Sequence, residues 1–479
     1  MEGSGRHGLT GPLSDSLGVR NEPGINPQKS ADTRAARLPW RRVGTCSGCR
    51  KSGVRRFGTL PSVTDGKLPL RTRLASTVSR GAAALSRATG RGDGSVIGGR
   101  LGLLIDPELL ANLAAGRQVA LISGTNGKTT TTRLTAAALG VLGPVATNSF
   151  GANMPSGHTS ALARAGNTPY AVLEVDEHYL SAVLASTSPR VVALLNLSRD
   201  QLDRAKEVAM MAQLWRDALA QHPGVQVVAN ADDPMVTWAA TPQGPAGDGP
   251  AVTWVAAGQR WHDDSWVCPR CGAHIERAGG QWWCTGCPLR RPDPQWTVDG
   301  DAVVDPGGIR HHVALRLPGR VNLANAATAL AVAAELGVPV ARAVPRLAEV
   351  TSIAGRYATV ARDGRTIRLL LAKNPAGWLE AFDMAEEAPT LLSINARDPD
   401  GLDTSWLFDV DFSSLRGRRV LVTGDRAYDL AVRLEVDGVA FTHVRSFDQA
   451  VAAVPPGRLE VIANYTAFQD IRAELDRVN

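Results

Sequence analysis

The sequence predicts an α/β protein: a P-loop domain with a mostly parallel, doubly wound sheet, an inserted four-cysteine zinc ribbon and a smaller C-terminal α/β domain. Short apolar strands alternate with helical segments from about residue 118, and this alternation is typical of parallel sheets. The strands are continuous apolar runs, as expected where helices cover both faces of a sheet. Two CxxC pairs interrupt the alternation, which resumes beyond about residue 357.

Composition excludes several classes of protein. The chain has 479 residues, 44% hydrophobic and 20% charged, which is ordinary for two or three globular domains. No apolar run approaches the ~20 residues that span a bilayer, and six cysteines are too few for a disulfide scaffold. The first 100 residues carry 18 Lys and Arg against 6 Asp and Glu. The basic charge therefore belongs to the N-terminal segment, and we expect no nucleic acid partner for the folded body.

Residues 1–66 differ from the rest of the chain. They are rich in Gly, Ser, Pro and Arg without sustained periodicity, so they bury too little apolar surface to offset their ordering entropy. We expect a disordered basic tail. An arginine-rich targeting segment and upstream sequence translated from a misassigned start codon are the alternatives, and we favour the start-codon explanation. Cys46 and Cys49 form a CxxC pair without partners, to which we assign no function.

The next segment, residues 68–91, has helical spacing. Leu70, Leu74, Val78 and Leu85 recur between arginines. We expect a helix that packs on the body of the protein. The alternative is a basic face that rests near anionic lipid headgroups.

The remaining elements follow in chain order. Strands are predicted at 118–124, 170–176, 190–197 and 225–233, and helices at 129–142 and 321–336. Four further apolar runs predict the strands of the C-terminal domain: RTIRLLLAKNP, APTLLSIN, RRVLVTG and GRLEVIANY.

The strongest motif follows the first of these strands and opens a helix. It consists of Gly124, Thr125, Asn126, Gly127, Lys128, Thr129 and Thr130. Backbone N–H groups and the helix N-terminus can wrap a phosphate chain there. We expect Lys128 to reach the β- and γ-phosphates and Thr129 to ligate Mg²⁺. Ile122 stands where the full pattern has glycine, so this is a variant P-loop.

Two polar clusters follow the next strands. The first contains Glu174, Asp176, Glu177 and His178, and the second contains Asn196, Arg199, Asp200, Gln201, Asp203 and Arg204. Acidic residues at the carboxyl edge of a parallel sheet suit metal-phosphate binding, and we assign Glu174 to Mg²⁺. Arginines such as Arg199 can clamp a carboxylate or stabilise a transferring phosphoryl group. The alternative for the second cluster is a helix start capped by Ser198 or Asp200.

Four cysteines predict a metal centre. Cys268 and Cys271 form one CxxC pair, and Cys284 and Cys287 form a second. Four thiolates suit tetrahedral Zn²⁺ and leave no open position, so the site is expected to be structural. Two disulfides are the alternative.

Together these motifs resemble those of the Mur ligase family. GTNGKT is that family's P-loop, NLSRDQLDR resembles its acidic and basic signature, and GRVNLANAATALA resembles its adenine-side motif. The resemblance covers residues 68–479. It implies ATP and Mg²⁺ as cofactors, Asn325 as the adenine contact and Arg356 as the arginine that reaches ATP from the domain boundary. Asn153 completes the predicted nucleotide site.

The same resemblance divides the chain into domains. It implies a central ATP-binding domain at 67–355, a zinc ribbon inserted at 261–296 and a C-terminal domain at 356–479.

Two departures narrow the resemblance to one branch of the family, the MurT-type ligases. Only about 55 residues separate Leu68 from the P-loop, too few for a separate UDP-sugar-binding domain. Gln201 replaces a metal-binding histidine, and the family's carbamylated lysine has no counterpart. Arg216 stands about where that lysine is expected, and Lys206 comes too early.

This branch implies an amidation reaction at the inner face of the plasma membrane, in the cytoplasm. ATP phosphorylates the α-carboxylate of the D-glutamate of lipid II, and ammonia displaces phosphate to give D-isoglutamine. The ammonia comes from a GatD-type glutamine amidotransferase partner, which implies a heterodimer, with peripheral membrane contact as a further expectation. The MurT-type chain lends an aspartate to the partner's Cys-His pair. Asp403 is the first choice for this aspartate and Asp400 is the second. The alternative is that both are only turn residues beside Gly401.

Two other functions remain open from the sequence. A Mur-like ligase of the folylpolyglutamate or cyanophycin type would add an amino acid without any partner. A nucleic-acid-binding ATPase would use the ribbon and the basic N-terminus, and its binding would depend steeply on salt.

Overall fold

Two sheets organise the part of the chain that the structure covers. The computed structural model describes residues 68–90, 94–148, 151–199, 208–243, 249–256, 258–353 and 357–478. The sheets define a larger lobe, up to residue 353, and a smaller lobe, from residue 357. The predicted tail at 1–66 lies outside the described residues, as do Cys46 and Cys49. No described helix combines the length and apolar character needed to cross a membrane.

The larger lobe contains the predicted parallel sheet. The strands of this lobe are β1 (Gln118–Ser123), β2 (Val145–Thr147), β3 (Tyr170–Val175), β4 (Val191–Leu194), β5 (Gln226–Asn230), β6 (Ala251–Ala256), β7 (Ile275–Ala278), β8 (Gln281–Cys284), β9 (Trp296–Asp299), β10 (Ala302–Val304) and β11 (Arg310–His312). β7 and β8 form a separate hairpin. In the described residues the sheet order is β11-β10-β9-β6-β5-β4-β1-β3-β2. Along this sheet order, all neighbouring strands between β9 and β2 pair in parallel. In this sheet only β10 and β11 add antiparallel pairs.

Helices cover both faces of this sheet. The helices of the larger lobe are α1 (Leu70–Ala88), α2 (Ser95–Ile105), α3 (Leu109–Ala114), α4 (Lys128–Leu139), α5 (Pro155–Arg164), α6 (Leu180–Thr187), α7 (Val208–Ala220), α8 (Pro234–Ala240), α9 (Arg320–Glu335) and α10 (Val340–Leu347). Successive residues of β1 point to opposite faces: Leu121 packs with α3 and α5 to α8, whereas Ile122 packs with α4, α9 and α10. The prediction of a doubly wound sheet is therefore confirmed.

The N-terminal helices form a hairpin outside this layer. α1 packs against α2, and α2 packs against α5. The helix predicted at 68–91 is confirmed, but the face that packs is not its leucine face. The buried side of α1 consists of small residues, whereas Leu70, Leu74 and Leu85 are exposed.

The smaller lobe repeats the α/β plan. Its elements are β12 (Tyr357–Arg362), β13 (Arg365–Leu371), α11 (Pro375–Met384), β14 (Thr390–Ser393), β15 (Val420–Thr423), α12 (Ala427–Val436), β16 (Phe441–His443), α13 (Phe447–Ala453), β17 (Gly457–Ala463) and α14 (Tyr465–Val478). The order in the described sheet is β12-β13-β17-β14-β15-β16, and only β12 pairs antiparallel. An aromatic cluster of Trp378, Phe382, Trp406 and Phe412 fills one side of its core.

Candidate active site and four-cysteine centre

The P-loop joins β1 to α4, as predicted. Gly124 has φ +147° and Gly127 has φ +83°, conformations that favour glycine. A Cβ on Gly127 would lie 2.6 Å from Asn325 Oδ1, so a side chain there would displace the predicted adenine contact. The hydroxyl of Thr130 is buried and has no hydrogen-bond partner among the described residues. The glycine loop at the start of a helix and the unpartnered hydroxyl of Thr130 fit a phosphate chain.

Lys128 is buried at the start of α4. Its Nζ donates to Gly124 O at 2.5 Å and to Thr125 O at 3.1 Å, and it pairs with Glu177 Oε2 at 2.9 Å. The side chain is thus held over the loop that would take the phosphates. The acidic partner of Lys128 is Glu177, a member of the predicted acidic cluster. It is a different residue from Glu174, which the sequence analysis assigns to Mg²⁺. Thr129 is half-buried on the first turn of the same helix.

Glu174 lies on β3, where it is the register partner of Ile122 on β1. Its backbone is fixed on both sides by Asn148, which accepts from Glu174 N at 2.8 Å and donates to Glu174 O at 2.8 Å. His158 Nε2 donates to the same carbonyl at 2.7 Å. Burial lowers the pKa of His158 to about 4, so the ring is neutral at pH 7. Asn148 and His158 were missed from sequence because nothing marks a lone Asn or His as a positioning group.

Asn153 lies beside this cluster. Its carbonyl accepts from Asp176 N at 3.0 Å, which places the loop before α5 against the carboxyl end of β3. The carboxylate of Asp176 in turn accepts from the N–H of His178 at 3.1 Å. The predicted Asn153 and the predicted cluster after β3 therefore lie at the same edge of the sheet.

Asn196, which follows β4, holds the backbone of the P-loop by hydrogen bonds. Its Oδ1 accepts from Asn126 N at 2.8 Å, and its Nδ2 donates to Asn126 O at 3.0 Å. Its carbonyl accepts from Thr125 N at 2.9 Å, and the Thr125 hydroxyl donates to Ser198 O at 3.1 Å. The loop conformation is thus set by its neighbour strand as well as by its glycines.

Arg199 lies between two carboxylates from different parts of the chain. Its Nε pairs with Asp264 Oδ1, its N–H donates to Asp264 Oδ2 at 3.0 Å, and its Nη1 pairs with Asp409 Oδ2 at 3.2 Å. Burial alone would lower the pKa of Arg199, but the hydrogen bond and charge of Asp264 and the charge of Asp409 raise it. Asp264 is itself held by Trp261 Nε1 at 2.6 Å. Sequence reasoning missed Asp264, which is 65 residues away.

A cleft opens beside the P-loop between the two lobes. Asn126, Asn196, Asn230 and Asn325 line it from the larger lobe, and Ala376, Leu379, Glu380 and Asp383 line it from α11. Asn126 Nδ2 donates to Asn374 Oδ1 at 3.2 Å, which ties the P-loop to the cap of α11. The mixed amide and apolar lining, next to the phosphate loop, suits the base of a nucleotide.

Asn325 lies on α9 at the wall of this cleft. Its Oδ1 accepts from the Thr131 hydroxyl at 3.1 Å, and its Nδ2 donates to Asn322 Oδ1 at 3.2 Å. It is buried, so its orientation is fixed by α4 and by its own helix.

The two candidate aspartates of the smaller lobe differ in their surroundings. Asp403 is fully exposed and accepts from Ser405 N at 2.8 Å, which lowers the pKa of its carboxyl. Asp400 uses both oxygens within the lobe: Oδ1 accepts from Thr466 N at 2.8 Å, and Oδ2 accepts from the Thr466 hydroxyl and from Arg397 N. Asp400 therefore holds the start of α14, whereas Asp403 is accessible.

The four cysteines come together as predicted. Their ligand atoms all lie within 4.8 Å of one another, with Cys268 and Cys287 sulfurs 3.7 Å apart and Cys271 and Cys284 sulfurs 3.4 Å apart. These separations approach the ~3.8 Å expected around tetrahedral zinc and exceed a disulfide bond, and all four thiols are free. The geometry fits a structural zinc ion and excludes the two-disulfide alternative for this conformation.

The ribbon is anchored to the larger lobe next to the cleft. It lies between β6 and β9, which pair in parallel, and β7 and β8 form its hairpin. Trp282 Nε1 donates to Ala231 O at 2.9 Å, and Arg291 Nε pairs with Asp232 Oδ1 at 2.7 Å. Arg260 and Trp261, just before the first cysteine, line the cleft itself.

Several predicted residues lie outside the described residues. They are Asp200, Gln201, Asp203, Arg204, Lys206, Gly355 and Arg356. Arg216 is described, and it has a local structural task. Its Nη1 donates to Trp238 O and to Thr241 O, and its guanidinium lies over the Trp238 ring at 3.7 Å. It therefore ties α7 to the end of α8.

Two family models match this chain. The Mur ligase middle domain matches residues 122–246, which contain the P-loop, and the MurT ligase C-terminal family matches residues 371–468 of the smaller lobe.

Individual relatives cover most of the chain. It is 29% identical over 411 residues to the lipid II isoglutaminyl synthase (glutamine-hydrolyzing) subunit MurT of Streptococcus pneumoniae (strain ATCC BAA-255 / R6), covering 80% of this chain and 92% of that protein. It is also 29% identical over 421 residues to the protein of that name from Staphylococcus aureus (strain COL), covering 82% and 95%. The solved pseudomurein peptide ligase type C from Methanothermus fervidus shares the fold, with a TM-score of 0.61, 17% identity, and coverage of 78% of this chain and 81% of that one. These matches support a MurT-type Mur ligase.

Proposed function

We propose that this chain is the ATP-using subunit of a lipid II isoglutaminyl synthase, which converts the D-glutamate of lipid II to D-isoglutamine with ammonia from a glutaminase partner. The observation that carries the proposal is the pairing of two features in one chain. One lobe holds a P-loop with a buried Lys128, and the other lobe, of MurT type, exposes Asp403.

The chemistry has two steps. A carboxylate oxygen of the substrate attacks the γ-phosphorus of ATP, ADP leaves, and an acyl phosphate forms. Ammonia then attacks the acyl carbon, inorganic phosphate leaves with the electron pair of the C–O bond, and the nitrogen loses a proton. Phosphoryl transfer depends on positioning and on charge neutralisation. In this proposal, Lys128 at the start of α4 and Arg199 after β4 supply positive charge.

The proposal includes a set of nucleotide and metal ligands. We assign the phosphates to Gly124–Thr130, the base to the cleft at Asn325, and Mg²⁺ to Thr129 and Glu174, with Asn153 and Arg356 completing the site. Bound Mg²⁺ would neutralise phosphate charge. Binding of phosphate requires Lys128 to exchange its contacts with Gly124 O and Thr125 O for phosphate oxygens, while Glu177 keeps the ammonium group oriented.

The partner is a GatD-type glutamine amidotransferase, and we assign its docking site to the surface around Asp403. Exposed apolar side chains lie on the same segment, at Leu402 and Phe408, and on α12, at Tyr428, Val432 and Val436. The Thr404 hydroxyl donates to Asp429 Oδ2 at 3.3 Å, which fixes the Asp403 loop against α12. A carboxylate of lowered pKa stays ionised, as required to orient a partner histidine and stabilise its charged form.

The domain boundaries are part of the proposal. We place the junction at residues 355–356, between the two sheets, and the ribbon at 261–296, between β6 and β9. The lipid-linked substrate implies that the enzyme works at a membrane surface, and the choice of the cytoplasmic face follows from its need for ATP.

The test is an amidation assay with the purified chain, ATP and lipid II, with and without the amidotransferase and glutamine. We expect isoglutamine, detected by mass spectrometry, only when the partner is present, and none with Lys128→Ala. Product formed from an added amino acid without a partner would favour the amino-acid ligase function instead. Absence of lipid II-dependent ATP turnover would overturn the proposal.

A further inference from the structure

The hairpin of α1 and α2 exposes an apolar surface that the proposed function does not use. We call it the outer face: Leu70, Leu74 and Leu85 from α1, and Ile97, Leu101 and Leu104 from α2. Leu70 is 82% exposed and Leu104 is 79% exposed. A surface helix normally turns such residues towards the core, so this arrangement is the reverse of the usual one.

Packing on the other side fixes this orientation. The inner side of α1 consists of Thr72, Ala75, Ser76, Ser79, Ala83 and Ser86, and it packs on the glycine side of α2. A Cβ on Gly98 would lie 2.5 Å from Ser79 O, and a Cβ on Gly99 would lie 1.7 Å from Ser156 O. The backbones meet so closely that no leucine fits between them. The outer leucines therefore cannot turn inwards, and their exposure is built into the hairpin.

The charged side chains on α1 and α2 have a single sign. Arg71, Arg73, Arg80, Arg87 and Arg100 are all exposed, and the described residues between 68 and 105 include no Asp or Glu. Arg73, Arg80 and Arg87 recur at intervals of seven and so lie along one flank of α1, beside the leucines. Long arginine side chains can extend from such a flank to phosphate groups while their stems cover apolar surface.

We propose that the outer face docks on an anionic phospholipid bilayer, with α1 and α2 lying in the plane of the interface. An exposed apolar strip flanked by arginines is the pattern of interfacial helices, and the five exposed arginines of α1 and α2 complement an anionic lipid surface. A protein partner would need a matching acidic rim and is the less favoured occupant.

The inner side of the hairpin connects to the predicted active-site edge of the sheet. Gly99 lies against Ser156 at the start of α5, and the loop before α5 places Asn153 O against Asp176 N. Docking of the hairpin would hold the larger lobe at the headgroup region, where a lipid-linked substrate carries its peptide. This last link rests on the proposed function, whereas the docking itself rests on the hairpin alone.

The experiment is co-sedimentation of the full chain with vesicles, without ATP or lipid II. Vesicles of phosphatidylcholine alone are compared with vesicles that also contain phosphatidylglycerol. We expect binding to the anionic vesicles and a decline with added salt. Leu74→Ser with Leu85→Ser should weaken partitioning at least about tenfold, because two apolar side chains lose their burial. Arg80→Gln with Arg87→Gln should weaken it about tenfold or more.

Matched controls separate the hairpin from the rest of the chain. Leu142→Ser with Leu214→Ser removes exposed leucines elsewhere on the larger lobe, and Arg342→Gln with Arg445→Gln removes exposed arginines elsewhere. Both controls should bind as the unmodified chain does, and all variants should keep its melting temperature. The basic segment before residue 68 is present in every sample, so it cannot account for a difference between them.

Three results would overturn the proposal. They are failure of the unmodified chain to bind anionic vesicles, equal binding by the hairpin variants, and loss of amidotransferase binding rather than vesicle binding in those variants. Since no step of the assay needs catalysis, failure here leaves the amidation unaffected. Failure of the amidation assay likewise leaves vesicle binding intact.

Discussion

The two lobes share one architecture and use the carboxyl edges of their sheets differently. In the larger lobe, β1 is followed by a glycine loop, a buried lysine and an unpartnered threonine hydroxyl. In the smaller lobe the edge is closed by its own side chains. Asn464 exchanges two hydrogen bonds with the backbone of Asn395, and Asn395 Oδ1 accepts from Asp425 N at 2.9 Å. Both sheets have a carboxyl edge of the same kind. The comparison shows that the loops at this edge determine whether it can bind a ligand.

Lys128→Ala tests the open edge and has the largest expected effect. Removal of the charge that faces the phosphates should lower amidation about 10⁴-fold, with either glutamine or ammonium as nitrogen source. The measurement is the rate of isoglutamine formation by mass spectrometry. Arg397→Ala, at the closed edge of the smaller lobe, is the control and should leave the ammonium-driven rate unchanged, because the Arg397 side chain pairs with the exposed carboxylates of Asp425 and Asp470. A Lys128 variant that keeps full activity would sink the assignment of the P-loop.

Asp403→Asn tests the second surface. With the partner and glutamine, the rate should fall about a thousandfold or more, because an amide cannot stabilise the charged histidine. With ammonium in place of glutamine, the rate should stay unchanged. The measurement is the ratio of the two rates.

Asp400→Asn is the matched control for that prediction. It removes the carboxylate that holds Thr466 at the start of α14, so the smaller lobe should lose about 1 kcal/mol of stability. The glutamine-to-ammonium ratio should not change. If Asp400→Asn uncouples glutamine use and Asp403→Asn does not, the two roles are reversed.

Acid pH should act on the larger lobe through His158. Its folded pKa of about 4 lies below the unfolded value, so the unfolded state binds more protons between these values. Stability is therefore present at neutral pH and is lost as pH falls from about 6.5 towards 4, by about 2 kcal/mol at pH 5. His158→Gln, whose amide can donate to Glu174 O, should remove this pH-dependent loss. Urea unfolding at pH 7 and pH 5 measures it, and an unchanged loss in the variant would contradict the assignment.

Local patterns in the sequence predicted much of the fold. Alternating apolar runs located the strands of both lobes, and the spacing of four cysteines located the four-cysteine cluster, because each signal lies within a short stretch of chain. Long-range partners could not be predicted in this way. Asn374 meets Asn126 across 248 positions, and Asp264 meets Arg199 across 65.

The orientation of α1 shows a second limit of sequence reasoning. Leucine spacing predicted the helix, but the packed face was decided by glycines of α2, which let serine and alanine approach more closely than leucine allows. Likewise, the cluster after β3 was predicted, but its members could not be told apart. The turn after Asp176 brings Glu177 to Lys128 and leaves Glu174 in the strand.

The ion pairs of Arg199 give the smallest and most specific test of the two lobes. Asp264, from the ribbon segment, is almost fully buried, whereas Asp409, from the smaller lobe, is about one-third exposed. Removing the buried carboxylate frees the arginine from its fixed position, so Asp264→Asn should lower kcat/KM for lipid II about tenfold. Asp409→Asn breaks a solvent-screened pair, so it should change kcat/KM no more than about threefold. Steady-state kinetics at saturating ATP distinguish the two. Equal effects would mean that the ribbon segment and the smaller lobe hold Arg199 to the same extent.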